Sequence, residues 1–254
     1  MDKKVILVTG ASGGIGAATA RLLGSKGNDI ILAARREAEL KQVASRSGKN
    51  ALPIVADVTS FDDVERLKNT AIREFGHIDV WINNAGRGIN RRVLDLTESD
   101  IDEMFNVNFR SVFYSIQCIM PHFLEWKAGH LINISSFLGR VPLASNRSAY
   151  NAAKAALNFL TANLRMDLKK ICPGIHVSLV MPGPVTTDFG RNALGAVPQS
   201  SPGTSSVRSQ TAEEVAEVIA SVIQHPVAEI FTNPAQVEIA HRYYADIGAF
   251  EENL

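Results

Sequence analysis

The two residues best suited to move a proton are Tyr150 and Lys154, which are separated by three residues. The stretch around them is rich in alanine and then becomes apolar on one side, so we expect it to form the first turns of a helix. Positions four apart share one side of a helix, and the phenol and the ammonium would therefore face one space. A nearby cation favours the phenolate, which would make Tyr150 a better proton shuttle near neutral pH. Taken alone, so short a pattern also arises by chance on surface helices.

Two serines, Ser135 and Ser136, end a predicted buried strand, fourteen or fifteen residues before Tyr150. A serine hydroxyl at a strand end could hydrogen-bond a carbonyl or alkoxide oxygen, which is an electrostatic role of the oxyanion type. The rival interpretation is the nucleophile of a Ser-His-Asp hydrolase. The sequence does not support it, because the Gly-x-Ser-x-Gly pattern is absent around both serines.

A glycine-rich turn near the start of the chain could hold a phosphate group. The apolar run at residues 5–8 predicts a strand buried on both faces, the glycine-rich residues 9–16 follow it, and an alanine-rich helix comes next. Glycine allows a sharp turn and lets an anion approach the backbone, while the start of the helix offers free N–H groups. The order strand, glycine turn and helix therefore predicts a dinucleotide site.

The end of the second predicted strand bears on which dinucleotide would bind. Sites selective for NAD commonly have an acidic residue here, whereas this chain has Ala34 followed by Arg35 and Arg36. A guanidinium suits a 2′-phosphate through charge-assisted hydrogen bonds, so NADP(H) is favoured over NAD(H). The alternative is that both arginines are solvated charges at a helix start. Asp57, after the third strand, could accept from the adenine amino group or could cap a turn.

The elements that must position these groups alternate along the chain. Further strands are predicted at residues 29–34, 51–55, 78–82, 130–135, 175–181 and 229–232, with helices between them. This alternation predicts an α/β fold, a Rossmann-type doubly wound parallel sheet in a single domain of residues 1–254. Residues 186–210 are rich in glycine, proline and serine and follow the carboxyl end of a strand. They predict a substrate lid, with a mobile surface loop as the alternative.

Composition narrows the classes of partner. Lys+Arg and Asp+Glu both number 26, and the zero net charge gives no reason to expect nucleic acid or an anionic membrane. The two cysteines form no CxxC pair and the six histidines show no metal-ligand spacing, so we expect structural thiols and no metal site. The apolar runs have strand length and the first enters a glycine turn. We therefore expect a soluble cytoplasmic protein without a membrane helix or signal peptide.

Together these residues resemble the short-chain dehydrogenase/reductase family, in its single-domain branch. Several motifs in the family's order carry the resemblance over nearly the whole chain: Thr9-Gly10-x-x-x-Gly14-x-Gly16 for the cofactor turn, Asn83-Asn84-Ala85-Gly86 for sheet stabilisation, Tyr150-x-x-x-Lys154 for the catalytic pair, and Pro182-Gly183-Pro184-Val185-Thr186-Thr187 for contact with nicotinamide. Ser136 aligns with the family's catalytic serine, since Gly139 follows three residues later, and Asn108 with its catalytic asparagine.

The resemblance implies a hydride transfer between a nicotinamide and a small-molecule carbonyl or alcohol. Tyr150 would be the general acid/base, Ser136 would hold the substrate oxygen, and Asn108 would hold a water that connects Lys154 to solvent. Lys154 would lower the tyrosine pKa and bind the ribose. The residues expected to bind NADP(H) are Gly10, Ser12, Gly14, Ile15, Gly16, Arg35, Arg36, Asp57, Val58, Asn84, Ala85, Gly86, Tyr150, Lys154, Pro182, Gly183, Val185 and Thr187.

Two features depart from the family pattern. The spacing from Ser136 to Tyr150 is one residue longer than expected, so Ser135 stays a second candidate. The C-terminal part lacks the Asp-Gly-Gly ending common among acyl-carrier-protein reductases, which argues against a role in fatty-acid synthesis and leaves the substrate open. Apolar residues after the serines and in the predicted lid suggest an apolar pocket: Leu138, Val141, Leu143, Phe189, Leu194 and Val197.

Two rival functions stay open. One is a non-catalytic NADP-binding sensor or scaffold, against which the intact set of four catalytic residues argues, since a sensor needs no proton donor. The other is an epimerase or dehydratase of the family's longer branch, for which too little chain follows Met181 to form a substrate domain. The resemblance also implies a homodimer or homotetramer, for which the sequence offers apolar helix faces at residues 99–126 and 150–170.

Overall fold

The computed structural model of the chain describes residues 3–195 and 208–254. The strands are β1 (Val5–Thr9), β2 (Asp29–Ala34), β3 (Ala51–Val55), β4 (Val80–Asn83), β5 (Gly129–Ile134), β6 (Ile175–Met181) and β7 (Glu229–Phe231). The helices are α1 (Gly14–Ser25), α2 (Glu37–Ala44), α3 (Phe61–Phe75), α4 (Glu98–Phe105), α5 (Ser111–Trp126), α6 (Ser148–Ile171), α7 (Ala212–Gln224), α8 (Ala235–Ala245) and α9 (Ile247–Glu251).

The strands form one parallel sheet in the order β3-β2-β1-β4-β5-β6-β7, which confirms the predicted fold class. β1 lies between β2 and β4, so that Leu7 is paired with Ile31 on one side and with Trp81 on the other. The chain runs outward from β1 to β3 and then returns to begin again at β4. Ligands of open α/β sheets bind outside the carboxyl ends of the strands at such a reversal of strand order.

Helices cover both faces of the sheet, and β1 is apolar at successive positions because its side chains are buried on both faces. Ile6 and Val8 pack with residues of α1 and α7 on one face, whereas Val5 and Leu7 pack with residues of α3 and α5 on the other. Successive side chains of a strand point to opposite faces, so a continuous apolar run suits a strand between two helix layers. Burying each of these fully enclosed side chains contributes roughly 1.5–3 kcal/mol to folding.

The starts of the helices differ in a way that bears on the site. α7 begins with a capping box, in which the Thr211 hydroxyl accepts from the Glu214 N–H and the Glu214 carboxylate accepts from the Thr211 N–H. α4 is capped in the same way by Thr97 and Asp100. α1 instead begins after Gly13 with no side-chain cap and no acidic residue in its first turn. No side chain of Gly13 accepts from its first N–H groups, and the same lack of a side-chain cap is found at the starts of α2, α5, α6 and α8.

The structure differs in detail from the predicted element boundaries. The fourth strand spans Val80–Asn83 instead of residues 78–82, and the fifth ends at Ile134, so both serines lie just beyond it. The two helices predicted between residues 97 and 127 are joined by a π-helical turn at Asn106–Arg110. The predicted lid is described only at its two ends, and residues 196–207, which include Val197, lie outside the described residues.

Candidate active site

A cavity of about 1470 Å³ lies at the carboxyl ends of the strands, around the junction of β1 and β4. The glycine turn, the ends of β2 to β6 and the first turns of α6 line it. Of the residues predicted to bind the cofactor or to act in catalysis, all but Gly16 and Asn108 are in this lining. The sheet thus brings together motifs that are far apart along the chain.

The glycine turn lies so close to β4 that it has no room for side chains. Gly10 has a φ of +65°, and a Cβ there would lie 2.8 Å from the Ala85 Cα. A Cβ on Gly16 would lie 2.5 Å from both the Asn84 Nδ2 and the Gly10 carbonyl oxygen. Gly16 therefore acts as a packing residue behind the turn, while Gly14 lines the cavity at the start of α1.

The segment after β4 is tied to the end of β1. The Thr9 Oγ1 accepts hydrogen bonds from the backbone N–H groups of Asn84 and Ala85 at 3.0 and 3.1 Å. The Asn84 Nδ2 donates to the Thr9 carbonyl oxygen at 2.9 Å. These bonds hold the small residues Ala85 and Gly86 at the cavity wall, where a flat ligand could approach the backbone closely.

The two arginines after β2 take different positions at the edge of the cavity. Arg36 donates from Nε and Nη2 to the Ser12 Oγ, at 3.2 and 3.0 Å, and so lies across the glycine turn. The Arg35 Nη1 lies 3.8 Å from the Asp57 Oδ2. Asp57 also closes a local turn, because its Oδ1 accepts from the backbone N–H and the hydroxyl of Thr59. Both arginine side chains are more than half exposed, so a bound anion would compete mainly with water for them.

Tyr150 and Lys154 lie on the first turns of α6, and both are buried. The Lys154 Nζ donates to the Ile134 carbonyl oxygen at 2.9 Å and lies 5.8 Å from the centre of the Tyr150 ring. α6 therefore presents both groups to one cavity, as their spacing predicts. In the described part of the chain, no acidic side chain pairs with the Lys154 ammonium.

Burial dominates the protonation of this pair. It raises the pKa of Tyr150 above its ordinary value, and the Ser136 hydroxyl and the Arg147 guanidinium oppose that rise. Burial also lowers the pKa of the Lys154 ammonium to about 7. Lys154 is not among the groups that shift the pKa of Tyr150 in this structure, and its expected lowering of that pKa stays a prediction. The pKa rises because the phenol is removed from water, and the cation that counteracts the rise is Arg147.

Of the two candidate serines, Ser136 is the one that interacts with the tyrosine. Its hydroxyl lowers the pKa of Tyr150, and its Oγ accepts from the Leu138 N–H at 3.2 Å. The Ser135 Oγ donates instead to the Asn158 Oδ1 at 2.5 Å. Both serines touch the cavity, and the role of Ser136 in holding a substrate oxygen stays a prediction.

Asn108 lies within the π-helical turn and is fully buried. Its Oδ1 accepts from the Arg87 N–H at 3.2 Å, and its Nδ2 donates to the carbonyl oxygens of Arg87 and Met104 at 2.9 and 3.0 Å. A Cβ on Gly86 would lie 3.0 Å from the Asn108 Oδ1. Asn108 therefore fixes the backbone of the loop after β4. Its role in holding a water stays a prediction.

The described ends of the predicted lid lie against the cavity. The rings of Phe189 and Tyr150 are in tilted contact, with centres 5.7 Å apart. The Leu194 N–H donates to the Gly88 carbonyl oxygen at 2.9 Å, which holds this end of the segment to the loop after β4. These contacts help to bury Tyr150.

The structure also brings residues to the cavity that the sequence motifs did not single out. Arg147 lines it beside Tyr150. Six more residues reach it from the C-terminal helices and the chain end: Gln236, Ile239, Arg242, Phe250, Asn253 and Leu254. Arg147 immediately precedes α6 as its N-cap residue, so no helical spacing predicted its place beside Tyr150. The C-terminal residues carry no motif, and only the packing of α8 and α9 places them here.

Comparison with known proteins agrees with this arrangement. Residues 4–196 match the sequence model of the family described as short chain dehydrogenase. The chain belongs to the short-chain dehydrogenase family. A relative in this family, an uncharacterised oxidoreductase of Staphylococcus epidermidis, is 35% identical over 196 residues, which cover 75% of this chain and 84% of that protein.

Solved structures of other short-chain dehydrogenases have the same fold. A short chain dehydrogenase/reductase from Burkholderia phymatum in complex with NAD superposes with a TM-score of 0.87 at 26% identity, covering 98% of this chain and 95% of that one. The closed form of serine dehydrogenase complexed with NADP+ gives a TM-score of 0.82 at 26% identity, covering 91% and 95%. The agreement extends over nearly the full length of the chains.

Within residues 3–195 and 208–254, no helix combines the length and apolar character needed to span a membrane. The same residues contain no group of three or more His, Cys, Asp or Glu side chains arranged to hold a metal ion. Cys118 and Cys172 are buried and form no disulfide.

Proposed function

We propose that this short-chain dehydrogenase transfers a hydride between NADP(H) and a carbonyl or alcohol substrate, with Tyr150 as the general acid/base. The observation that carries the proposal is that Tyr150, Ser136 and Lys154 share one cavity with the glycine turn at the start of α1. A proton donor, a hydroxyl to hold an oxygen and a site for a dinucleotide are the parts that such a reaction needs.

The cavity suits a dinucleotide on the side of β1. Cβ atoms on Gly10 and Gly16 would overlap their neighbours, so these positions have no room for side chains. α1 also begins without a side-chain cap. These features favour the close approach of a pyrophosphate to backbone N–H groups. Bound there, the dinucleotide would supply or accept the hydride. The residues that would line its nicotinamide end are Pro182, Gly183, Val185 and Thr187.

Arg35 and Arg36 support NADP(H) over NAD(H). They stand where sites selective for NAD commonly have an acidic residue. Arg36 lies over Ser12 of the glycine turn and Arg35 lies beside Asp57, so a 2′-phosphate between them would meet two guanidinium groups. The two structural neighbours carry NAD in one case and NADP+ in the other. The fold therefore accommodates either dinucleotide, and the preference is argued from the arginines.

The residues of α6 and β5 would move and hold the proton. Tyr150 would donate its proton to the carbonyl oxygen in reduction and take it back in oxidation, while Ser136 would hold that oxygen. Burial favours the protonated phenol, which suits a proton donor in the direction of carbonyl reduction. Lys154, held on the Ile134 carbonyl, would bind the nicotinamide ribose.

The test follows the oxidation of NADPH with a panel of ketones and aldehydes, and the reduction of NADP+ with the matching alcohols, each repeated with NADH or NAD+. We expect turnover that depends on the carbonyl compound, with a higher kcat/KM for NADPH than for NADH. Binding of NADPH in calorimetry without turnover of any panel member would support the sensor instead. Turnover with a preference for NADH would contradict only the NADP(H) part.

A homodimer or homotetramer is part of the same proposal. Apolar side chains remain exposed on α5 and α6, among them Phe113, Phe159 and Met166. These helices carry the apolar faces that we expect a second copy of the chain to cover in an oligomer. Light scattering after gel filtration should give two or four times the chain mass of 27.5 kDa, and the mass of a single chain would contradict it.

A further inference from the structure

Arg147 lines the cavity beside Tyr150 without a carboxylate partner among the described residues. Its one side-chain hydrogen bond there runs from Nη1 to the Ile89 carbonyl oxygen, at 3.4 Å. A guanidinium has five N–H donors, so one long bond leaves most of them unused. The side chain is partly buried, and this burial lowers the pKa of the guanidinium. Holding a cation partly out of water with so few hydrogen bonds costs folding free energy unless a ligand accepts from its remaining N–H donors.

Other arginines around this part of the cavity already have acidic partners. The Arg87 Nη1 lies 2.8 Å from the Glu103 Oε1. The Arg191 Nη2 lies 2.9 Å from the Asp188 Oδ1. Arg147 differs from both, because a backbone carbonyl is its side-chain acceptor in the described residues. The charge of Arg147 is therefore available to a ligand in a way that the charges of its neighbours are not.

The surrounding backbone leaves room for the guanidinium. A Cβ on Gly88 would lie 2.8 Å from the Arg147 Nη1, and one on Gly190 would lie 3.7 Å from its Nη2. The same Cβ on Gly88 would be 3.0 Å from the ring of Phe189, which contacts Tyr150. The guanidinium thus lies between the loop after β4 and the described part of the lid. Arg147 and Tyr150 thus share this side of the cavity, and the Phe189 ring contacts the Tyr150 ring there.

We propose that Arg147 binds a carboxylate of the substrate, so that the enzyme acts on an oxo acid or a hydroxy acid in preference to a neutral ketone or alcohol. This inference rests on the proposed function, because it takes Tyr150 and Ser136 to hold the reacting oxygen. A planar guanidinium matches a carboxylate through two parallel N–H bonds and is more weakly hydrated than an ammonium. Pairing would offset the cost of holding the Arg147 charge partly out of water.

Two other roles for Arg147 predict different results. If the guanidinium served only to favour the phenolate of Tyr150, its removal would slow charged and neutral substrates alike and would shift the pH profile of turnover. If it bound the dinucleotide, its removal would weaken the binding of NADPH. If Arg147 recognises a substrate carboxylate, its removal should lower kcat/KM for substrates that carry a carboxylate and leave kcat/KM for neutral substrates unchanged.

The turnover experiment compares 2-, 3- and 4-oxo acids with their methyl esters, using wild type, Arg147→Met, Arg147→Gln and Arg147→Lys. We expect wild type to prefer an acid to its ester. Both neutral variants should lose about 10- to 100-fold in kcat/KM on that acid, the scale of one charged hydrogen-bonded contact, and little on the ester. Arg147→Lys should recover part of the loss. Equal losses on acid and ester, or a wild-type preference for esters, would overturn the inference.

Arg92→Met is the charge-matched control. It removes an exposed arginine that pairs with Asp95 and does not line the cavity. We expect its ratio of kcat/KM for acid and ester to equal that of wild type. If Arg92→Met lost the preference for the acid as Arg147→Met does, the effect would reflect net charge alone and the inference would fail.

The binding experiment does not depend on turnover. Calorimetry titrates pentanoate and pentanamide into each protein in the presence of saturating NADP+, and thermal unfolding checks that the variants fold. The affinity of pentanoate for wild type should be higher than its affinity for the neutral Arg147 variants by a factor of about 10 or more. The affinity of pentanamide should be the same for wild type and these variants. That pattern without turnover of any oxo acid would refute the proposed function and keep the carboxylate site. Turnover of ketones together with pentanoate binding that ignores Arg147 would refute this inference alone.

Discussion

The Lys154 Nζ and the Ile134 carbonyl oxygen are joined by a hydrogen bond of 2.9 Å. The bond ties the start of α6 to the last residue of β5 and holds the ammonium at the carboxyl edge of the sheet. Its acceptor is neutral, and no carboxylate compensates the charge in the described chain. Burial therefore lowers the pKa of Lys154 to about 7. The folded protein keeps this cation beside Tyr150 at a cost in stability.

Lys154→Met should abolish turnover and change stability in a manner that depends on pH. The folded pKa of about 7 lies below the unfolded value of about 10.4, so the unfolded chain binds more protons between these pH values. Wild type should therefore gain unfolding free energy relative to Lys154→Met as pH rises from 7 to 10, by at most about 1.4 kcal/mol per pH unit. Urea unfolding at pH 7, 8.5 and 10 measures this, and a constant difference would contradict the lowered pKa.

Tyr150→Phe should lose nearly all turnover and still bind NADPH. The ring would fill the same buried space beside Phe189, while the proton donor is gone, a loss on the order of 10²–10⁴-fold for general acid–base catalysis. Steady-state kinetics and calorimetry with NADPH measure the two effects. Tyr114→Phe, which removes a hydroxyl from a residue that does not line the cavity, is the control. Full activity in Tyr150→Phe would exclude the assigned role.

Arg35→Ala should raise the KM for NADPH much more than the KM for NADH. Losing a charge-assisted contact to the 2′-phosphate corresponds to about 10-fold or more, and NADH has no such phosphate to lose. Arg36→Ala is expected to act in the same direction. Arg73→Ala, at an exposed arginine of α3, should leave both KM values unchanged. An equal effect of Arg35→Ala on the two dinucleotides would count against the preference for NADP(H).

Gly16→Ala should weaken dinucleotide binding and destabilise the fold, although Gly16 does not line the cavity. The new Cβ would lie 2.5 Å from the Asn84 Nδ2, so α1 or the segment after β4 must shift. Overpacking of this kind costs typically about 1–3 kcal/mol of unfolding free energy. Gly248→Ala is the control, since the nearest atom to its Cβ would be 3.7 Å away. Calorimetry with NADPH and thermal unfolding measure both effects, and an unaltered Gly16→Ala protein would show that the turn tolerates a side chain.

Much of the fold could be predicted, and most of the predicted site residues do line the cavity, because the patterns that encode them are local. A continuous apolar run such as residues 5–8 is favourable only where helices cover both faces of a sheet, so it indicates a parallel α/β fold before any contact is known. The spacing of Tyr150 and Lys154 places both on one side of α6 through helix geometry alone. Carboxyl ends of parallel strands share one edge, which explains why the motifs at those ends meet in one cavity.

By itself, then, the sequence determined the order of strands and helices and the chemical groups delivered to the cavity, through short-range periodicity and turn geometry. Only the tertiary structure decided what each group experiences there. In the folded chain the Ser135 hydroxyl donates to Asn158, and the Asn108 amide holds the loop after β4. Arg147 lies where its charge opposes the rise in the pKa of Tyr150. Burial and charges from residues distant along the chain set a pKa and a hydrogen-bond partner, and no local pattern contains that information.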